Sequence, residues 1–83
     1  MNKKKLLKKI LGGSKNIRFS EVVKLANAFG FKLDRINGSH HIFAHPDIQG
    51  LINLQNVNGK AKPYQIHQLL RTIETYKLYM EEE

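Results

Sequence analysis

NGSHHIFAHP, residues 37–46, is the segment from which the strands of this chain can be laid out. It begins with Asn-Gly, the strongest short signal for a β-hairpin. Apolar residues lie on both sides of this pair: Phe31, Leu33, Ile36, Ile42 and Phe43. The segment therefore predicts two antiparallel strands that meet at Asn37-Gly38. Both turn residues would take positive φ, which glycine adopts freely and asparagine tolerates.

Three strands are predicted in all, with the bounds 31–36, 39–45 and 51–55. Pro46-Asp47 is typical of a turn between the second strand and the third. In the second strand Ile42 and Phe43 are adjacent and both apolar. Alternation along that strand therefore leaves open whether His40 or His41 faces solvent.

A core helix is predicted over residues 20–29, before the strands. Ser20 is a good N-cap, and Glu21 in the first turn suits the positive end of the helix dipole. Gly30 is expected to end the helix as its C′ residue. The apolar residues of this segment repeat at helical spacing: Val22, Leu25, Ala26 and Phe29.

A second core helix is predicted over residues 64–79, after a polar loop at residues 56–63. Pro63 suits the first turn of a helix, because its missing N–H has no partner there anyway. The apolar residues of this segment form one stripe, most of it at helical spacing. Its members are Ile66, Leu69, Leu70, Ile73 and Met80. Glu81–Glu83 would form an acidic, solvated tail.

The N-terminal segment predicts an additional basic helix over residues 2–11, ended by Gly12-Gly13. Its apolar residues lie on one face: Leu6, Leu7, Ile10 and Leu11. Lysines cover the rest, so the helix could be a basic arm for RNA, a face for a partner, or a surface helix packed on its own domain. A membrane-surface helix is disfavoured, because the apolar face is short and has no aromatic residue. The division predicted is a helix and joint at residues 1–13 and a single domain at residues 14–83.

The predicted order is α-β-β-β-α behind that basic helix, which makes an α+β fold. Two amphipathic helices can cover one face of a three-stranded antiparallel sheet and leave the other face open. This is also the element order of the double-stranded-RNA-binding domain.

Composition narrows the functional classes. The chain has 83 residues, enough for one domain, and no cysteine, which excludes disulfides and thiolate chemistry. No apolar run approaches the roughly 18 residues that a membrane span needs. We expect a cytoplasmic protein.

The positive charge is concentrated in the first half. Residues 1–35 contain ten Lys or Arg and two acidic residues, a net of +8, whereas residues 36–83 contain four and five, a net of −1; together these give the +7 of the chain. A basic half of this kind favours a polyanionic partner, nucleic acid first, although a solubility surface has the same composition.

The histidines do not form an evident metal site or triad. His41 and His45 would share a strand face about 13 Å apart, at roughly 3.3 Å per residue, which is too far for one ion. A triad of Ser39 and His40 with an aspartate is disfavoured, because adjacent strand residues point apart. On residue type alone, His40 fits an ordinary surface histidine.

A resemblance changes the reading of His40. The motifs Gly30-Phe31, Gly38-Ser39-His40, Ile42-Phe43, His45-Pro46, Gly59-Lys60 and Lys62-Pro63 resemble the HicA family of bacterial toxins over roughly residues 19–79. The resemblance implies a fold like that of the double-stranded-RNA-binding domain, messenger-RNA endoribonuclease activity and neutralisation by a HicB antitoxin. It also implies that His40, in the Gly-Ser-His motif, is the catalytic histidine. Where many members carry Val-Pro-x-His in the third strand, this chain has Leu54-Gln55-Asn56-Val57.

The expected chemistry is metal-independent and needs no cofactor: a ribose 2′-hydroxyl attacks the adjacent phosphate, with His40 as general acid or base. Lys60 and Lys62 would hold phosphate with the N-terminal amides of the last helix. Ser39 and His41 would also contact RNA, and His41 is a candidate for the second proton transfer. The alternatives are a non-catalytic RNA-binding module of the same fold and a protein-interaction domain with incidental histidines.

Overall fold

The computed structural model describes residues 3–13 and 16–80, and this part of the chain contains three helices and four strands. The elements are α1 (Lys3–Leu11), α2 (Phe19–Ala28), β1 (Lys32–Asn37), β2 (His40–His45), β3 (Ile48–Val57), β4 (Lys60–Ala61) and α3 (Pro63–Thr75). The strands form one antiparallel sheet in the order β1-β2-β3-β4, so the predicted α+β class is confirmed. The predicted helix start at Asn2, the predicted domain start at residue 14 and the acidic tail Glu81–Glu83 lie outside the described residues.

The predicted strand count is wrong, because part of the expected polar loop at residues 56–63 is a hairpin. Asn58-Gly59 joins Val57 to Lys60, and β4 pairs with the end of β3. Asn58 has φ 53° and Gly59 has φ 83°, as a type I′ turn requires at both central residues. The second Asn-Gly pair of the chain therefore adds a fourth, two-residue strand.

The turn between β1 and β2 differs from the prediction in its position. Asn37 is paired with His40 in the ladder, so the two turn residues are Gly38 and Ser39. Gly38 has φ 64°, whereas Asn37 does not have positive φ. Glycine at the first central position is the signature of a type II′ turn. The shift makes His40 the first residue of β2.

Both core helices end in the same way. In α2 the Phe31 N–H donates to the Ala26 carbonyl at 3.0 Å, and Gly30 before it has φ 93°, which confirms Gly30 as the C′ residue. In α3 the Leu78 N–H donates to the Ile73 carbonyl at 2.9 Å, and Lys77 takes φ 52°. This left-handed residue stops α3 at Thr75, so the predicted extension to residue 79 is wrong.

The helices pack on one face of the sheet around a single hydrophobic cluster. Phe43 from β2 and Leu54 from β3 are buried in it together with residues of both core helices. Leu6 and Ile10 of α1 are 1% and 4% exposed and belong to the same cluster. The basic helix is therefore packed on the domain, and its lysines lie on the helix side of the sheet.

The face of the sheet opposite the helices is here called the open face, and no helix of the described chain packs on it. The strand registers place these residues there: Lys32, Arg35, Asn37, His40, Ile42, Ala44, Asn53, Gln55, Val57 and Lys60. Burial supports the assignment, since Phe43, Leu54 and Ala61 alternate with these positions and pack into the core cluster. The open face is thus free for a ligand.

Gln65 has a buried polar side chain, 1% exposed, which takes the place of a strand partner for β3 beyond the end of β4. Its Oε1 accepts the backbone N–H of Gln55 at 2.6 Å. We expect Gln65→Leu to lower the free energy of unfolding by about 1–3 kcal/mol, because the Gln55 N–H would lose its partner. Urea denaturation measures this loss. The exposed Gln68→Leu on the same helix is the control, and equal effects at both positions would contradict the assignment.

Glu21 connects α1 to the start of α2. The predicted N-cap Ser20 is wrong: Arg18 occupies that position, held there by a β-bridge to Lys60 and by the Phe19 N–H, which donates to the Gly59 carbonyl. Glu21 Oε2 accepts from Lys9 Nζ at 2.8 Å, and Oε1 accepts from the Arg18 N–H at 3.0 Å. The hydrogen bond from Lys9, followed by that from Arg18, holds the pKa of the Glu21 carboxyl below its ordinary value.

This lowered pKa predicts a pH-dependent contribution to stability. A carboxyl whose pKa is lower in the folded state stabilises the fold above its unfolded-state pKa, near 4.5, and loses that effect as the pH falls through the folded-state pKa. Glu21→Gln should therefore cost about 1 kcal/mol at pH 7, because the amide oxygen can still accept a hydrogen bond but lacks the charge that strengthens it, and little at pH 3. Unfolding free energies at both pH values measure this. The exposed Glu74→Gln is the control, and a loss of equal size at pH 3 would contradict the role of the carboxylate.

Candidate functional site

The fold places His40 and His41 on opposite faces of the sheet. The His41 ring packs on Phe19, with ring centroids 4.6 Å apart, so His41 faces the helices. His40 is the residue on the open face, half-buried and next to the Gly38-Ser39 turn. This settles the question that the alternation of apolar residues leaves open.

Asn53 holds the His40 imidazole by one edge. Nδ1 of His40 lies 3.0 Å from Nδ2 and 3.2 Å from Oδ1 of Asn53. Asn53 is opposite Ile42 on the neighbouring strand, which puts it diagonally across from His40 on the same face. Within the described residues, 3–13 and 16–80, no residue forms a hydrogen bond with Nε2 of His40. This nitrogen is therefore available for proton transfer.

His45 has both ring nitrogens engaged. Nδ1 accepts the Asp47 N–H at 3.0 Å, and Nε2 then carries the proton and donates to the Phe29 carbonyl at 3.0 Å. The ring also lies edge-on to Phe31, with centroids 5.0 Å apart. His45 therefore ties the β2–β3 turn to the end of α2 and serves the fold.

Ser39 and His41 are connected to each other at the turn. Nδ1 of His41 lies 3.2 Å from the Ser39 carbonyl oxygen, which also accepts the Asn56 N–H at 2.9 Å. Because His41 and His40 point to opposite faces, the two imidazoles do not converge on one phosphate. Contact of Ser39 and His41 with RNA stays a prediction.

The two predicted lysines lie at the same end of the sheet as His40. Lys60 is opposite Val57, which puts it on the open face. The Cα atoms of Lys60 and His40 are about 12 Å apart, because two strand spacings across the sheet and two residues along the strand separate them. Its Nζ lies 3.4 Å from Asn16 Oδ1. Lys62 is half-buried at the N-cap of α3, where its carbonyl accepts the Gln65 and Ile66 N–H groups.

Further basic residues on the open face are not among the predicted site residues. Arg18 forms a bridge opposite Lys60, and Lys32 and Arg35 lie on β1. Lys32 and Arg35 are three residues apart and would point to opposite faces of a regular strand. A register shift at Asp34 brings both to the open face, and nothing in the sequence signals that shift. Arg35 is also paired with Asp34, at 3.2 Å.

Two classes of site are not found in the described part of the chain. Residues 3–13 and 16–80 contain no cluster of three His, Cys, Asp or Glu side chains suited to a metal ion. Every helix in those ranges is too short or too polar to cross a membrane.

Comparison with protein families connects this chain to a known group. The family described as "HicA toxin of bacterial toxin-antitoxin" matches residues 19–74 of the 83. The chain belongs to the HicA toxin family. The match begins with α2 and ends one residue before the end of α3, so it contains the sheet and His40, and α1 lies before it. No curated protein matches the chain closely enough to count as a relative.

Membership confirms the predicted family and makes this HicA protein a toxin of a toxin–antitoxin system. It also implies a cognate antitoxin as partner. The open face, with His40 and its basic neighbours, is the candidate site of this toxin.

Proposed function

We propose that this HicA toxin is a metal-independent endoribonuclease that cleaves messenger RNA with His40 as general acid/base. The observation that carries the proposal is the His40 imidazole on the open face, held at Nδ1 by Asn53 with Nε2 directed away from any described partner. The proposal is tested by incubating purified protein with RNA in a metal chelator. Fragments support it, and RNA that is bound but intact supports the non-catalytic binding module instead.

The reaction requires two proton transfers, one from the attacking hydroxyl to a base and one from an acid to the leaving oxygen. The 2′-hydroxyl of a ribose attacks the adjacent phosphorus while His40 Nε2 takes the hydroxyl proton, and the bond from phosphorus to the 5′-oxygen breaks. The leaving 5′-oxygen takes a proton from the imidazolium or from water. An imidazole suits both transfers, because its unperturbed pKa is near neutrality.

Basic residues around His40 supply the binding energy in this proposal. Arg18 and Lys60 lie on one side of it and Arg35 on the other, and Arg35 is also paired with the Asp34 carboxylate at 3.2 Å. Phosphates neutralised by these residues release counterions, which stabilises the complex. We propose that RNA crosses the open face, with Lys62 and Ser39 at its rim.

Salt dependence of RNA affinity tests this path. Lys60→Gln with Arg35→Gln should lower the slope of log affinity against log salt by about 2, roughly 1 for each lost phosphate contact. Lys4→Gln with Lys8→Gln removes the same charge from exposed positions of α1, on the helix side, and should change the slope by less than about 0.5. Fluorescence anisotropy at several salt concentrations measures both. If the α1 pair changed the slope more, the RNA path would lie on the helix side.

The remaining parts of the proposal concern partner, fold and location. We propose that the antitoxin is HicB-like and presents an acidic surface to the open face, where it would cover His40. We also propose that the α2-β1-β2-β3-α3 order corresponds to the double-stranded-RNA-binding-domain fold. An enzyme that acts on messenger RNA would work in the cytoplasm.

A further inference from the structure

We propose that Asn53 is the positioning residue of this toxin and selects which nitrogen of His40 carries the transferable proton. This inference rests on the proposed ribonuclease function. It concerns a residue of β3, thirteen positions from the histidine in sequence, that contacts His40 rather than RNA.

The side-chain amide of Asn53 faces one ring nitrogen of His40, Nδ1. Both Oδ1 and Nδ2 of Asn53 lie within hydrogen-bond distance of His40 Nδ1, at 3.2 and 3.0 Å. An amide offers an acceptor and a donor, so the atom that Asn53 turns towards Nδ1 decides whether that nitrogen carries the proton. Both side chains are half-buried on the open face, which restricts the ring to this edge.

The amide orientation determines the chemistry at Nε2. With Oδ1 accepting from Nδ1–H, the neutral ring presents the Nε2 lone pair and can take the proton of the 2′-hydroxyl. The resulting imidazolium keeps Nδ1–H on Oδ1 and can return the Nε2 proton to the leaving 5′-oxygen. With Nδ2 donating to Nδ1, the neutral ring would instead present Nε2–H, which cannot take the proton of the 2′-hydroxyl. With Oδ1 on Nδ1–H, Asn53 therefore holds the ring in one position through both proton transfers.

The chain offers a matched control in Gln55. It lies on the same face and strand, directly opposite His40, and carries the same amide group. Its side chain makes no hydrogen bond to His40 among the contacts of the described residues; its backbone N–H is the group that bonds Gln65. Gln55→Leu therefore removes an amide beside His40 without removing the contact to Nδ1.

The experiment compares full-length wild type, Asn53→Leu, Asn53→Asp and Gln55→Leu. Asn53→Leu should lower kcat for RNA cleavage by roughly tenfold to a hundredfold, the scale of a misplaced catalytic group, with KM within about twofold. Gln55→Leu, which leaves the contact to Nδ1 in place, should lower kcat much less than Asn53→Leu does. Asn53→Asp should shift the pH–rate profile to higher pH, since a carboxylate favours the imidazolium.

A second readout does not depend on cleavage. Nitrogen-15 NMR of the His40 ring without RNA should show the tautomer ratio changed in Asn53→Leu and unchanged in Gln55→Leu. An unchanged ratio in Asn53→Leu, or equal kcat losses in the two leucine variants, would overturn the positioning role. If wild type cleaved no RNA, the proposed function would fail, and the NMR comparison would still decide whether Asn53 sets the His40 tautomer.

Discussion

Replacing His40 with alanine is expected to lower RNA cleavage by a factor of roughly 10²–10⁴, the usual contribution of an acid–base group. Folding should be nearly unchanged, because the His40 side chain lies on the open face, outside the hydrophobic cluster. RNA affinity should also persist, since phosphate contacts from Lys and Arg provide most of it. Cleavage, denaturation and binding assays on one preparation test these three expectations together.

His41→Ala is the control for this substitution. It removes the neighbouring imidazole from the other face of the sheet, where the ring packs on Phe19. We expect a modest loss of stability and a much smaller loss of cleavage than in His40→Ala. If His40→Ala lost RNA binding together with cleavage, His40 would be an RNA contact rather than the catalyst.

Leu69→Ala is expected to lower the free energy of unfolding by about 2–5 kcal/mol, as truncations that leave a cavity in a core do. Leu69 is fully buried in α3, within the cluster that contains Phe43 and Leu54 of the sheet. Ile73, one turn on, is only partly buried, so Ile73→Ala should cost less. Small domains have little stability to spare, and a loss of this size would populate the unfolded state measurably.

Leu51→Ala is the matched control for the core truncation. It makes the same change at a residue that is 52% exposed on β3, and should cost less than about 1 kcal/mol. Urea denaturation of the three variants gives the comparison. Similar losses for Leu51→Ala and Leu69→Ala would mean that α3 does not pack on the sheet as described.

The elements that the sequence predicts well are those with a strong period or a specific end signal. The stripe of Val22, Leu25 and Ala26 with Gly30 behind it locates α2 to within one residue at each end. The missed elements lack such signals. Two-residue β4 is too short to show alternation, and Lys77 ends α3 in a left-handed conformation that glycine, not lysine, usually signals.

The sequence predicts only the part of the site that lies within a recognisable motif. The resemblance singles out His40, but its neighbours come from strands that are distant in sequence. Asn53 reaches His40 only through the β2–β3 register, and Arg35 reaches the open face only through the register shift at Asp34. Both depend on strand pairing, which a single sequence does not specify.

The ends of the RNA fragments distinguish attack by the 2′-hydroxyl from hydrolysis by water, and the comparison with His40→Ala tests which residue catalyses it. Purified wild type and His40→Ala, prepared in parallel, would be incubated with a short RNA in a metal chelator, and the product termini identified by mass spectrometry. Attack by the 2′-hydroxyl predicts 2′,3′-cyclic phosphate and 5′-hydroxyl ends with wild type, cutting slower by a factor of roughly 10²–10⁴ with His40→Ala, and no cutting at a 2′-deoxy position. RNA bound but left intact by wild type, or fragments with 3′-hydroxyl and 5′-phosphate ends, would contradict catalysis by His40 on the open face.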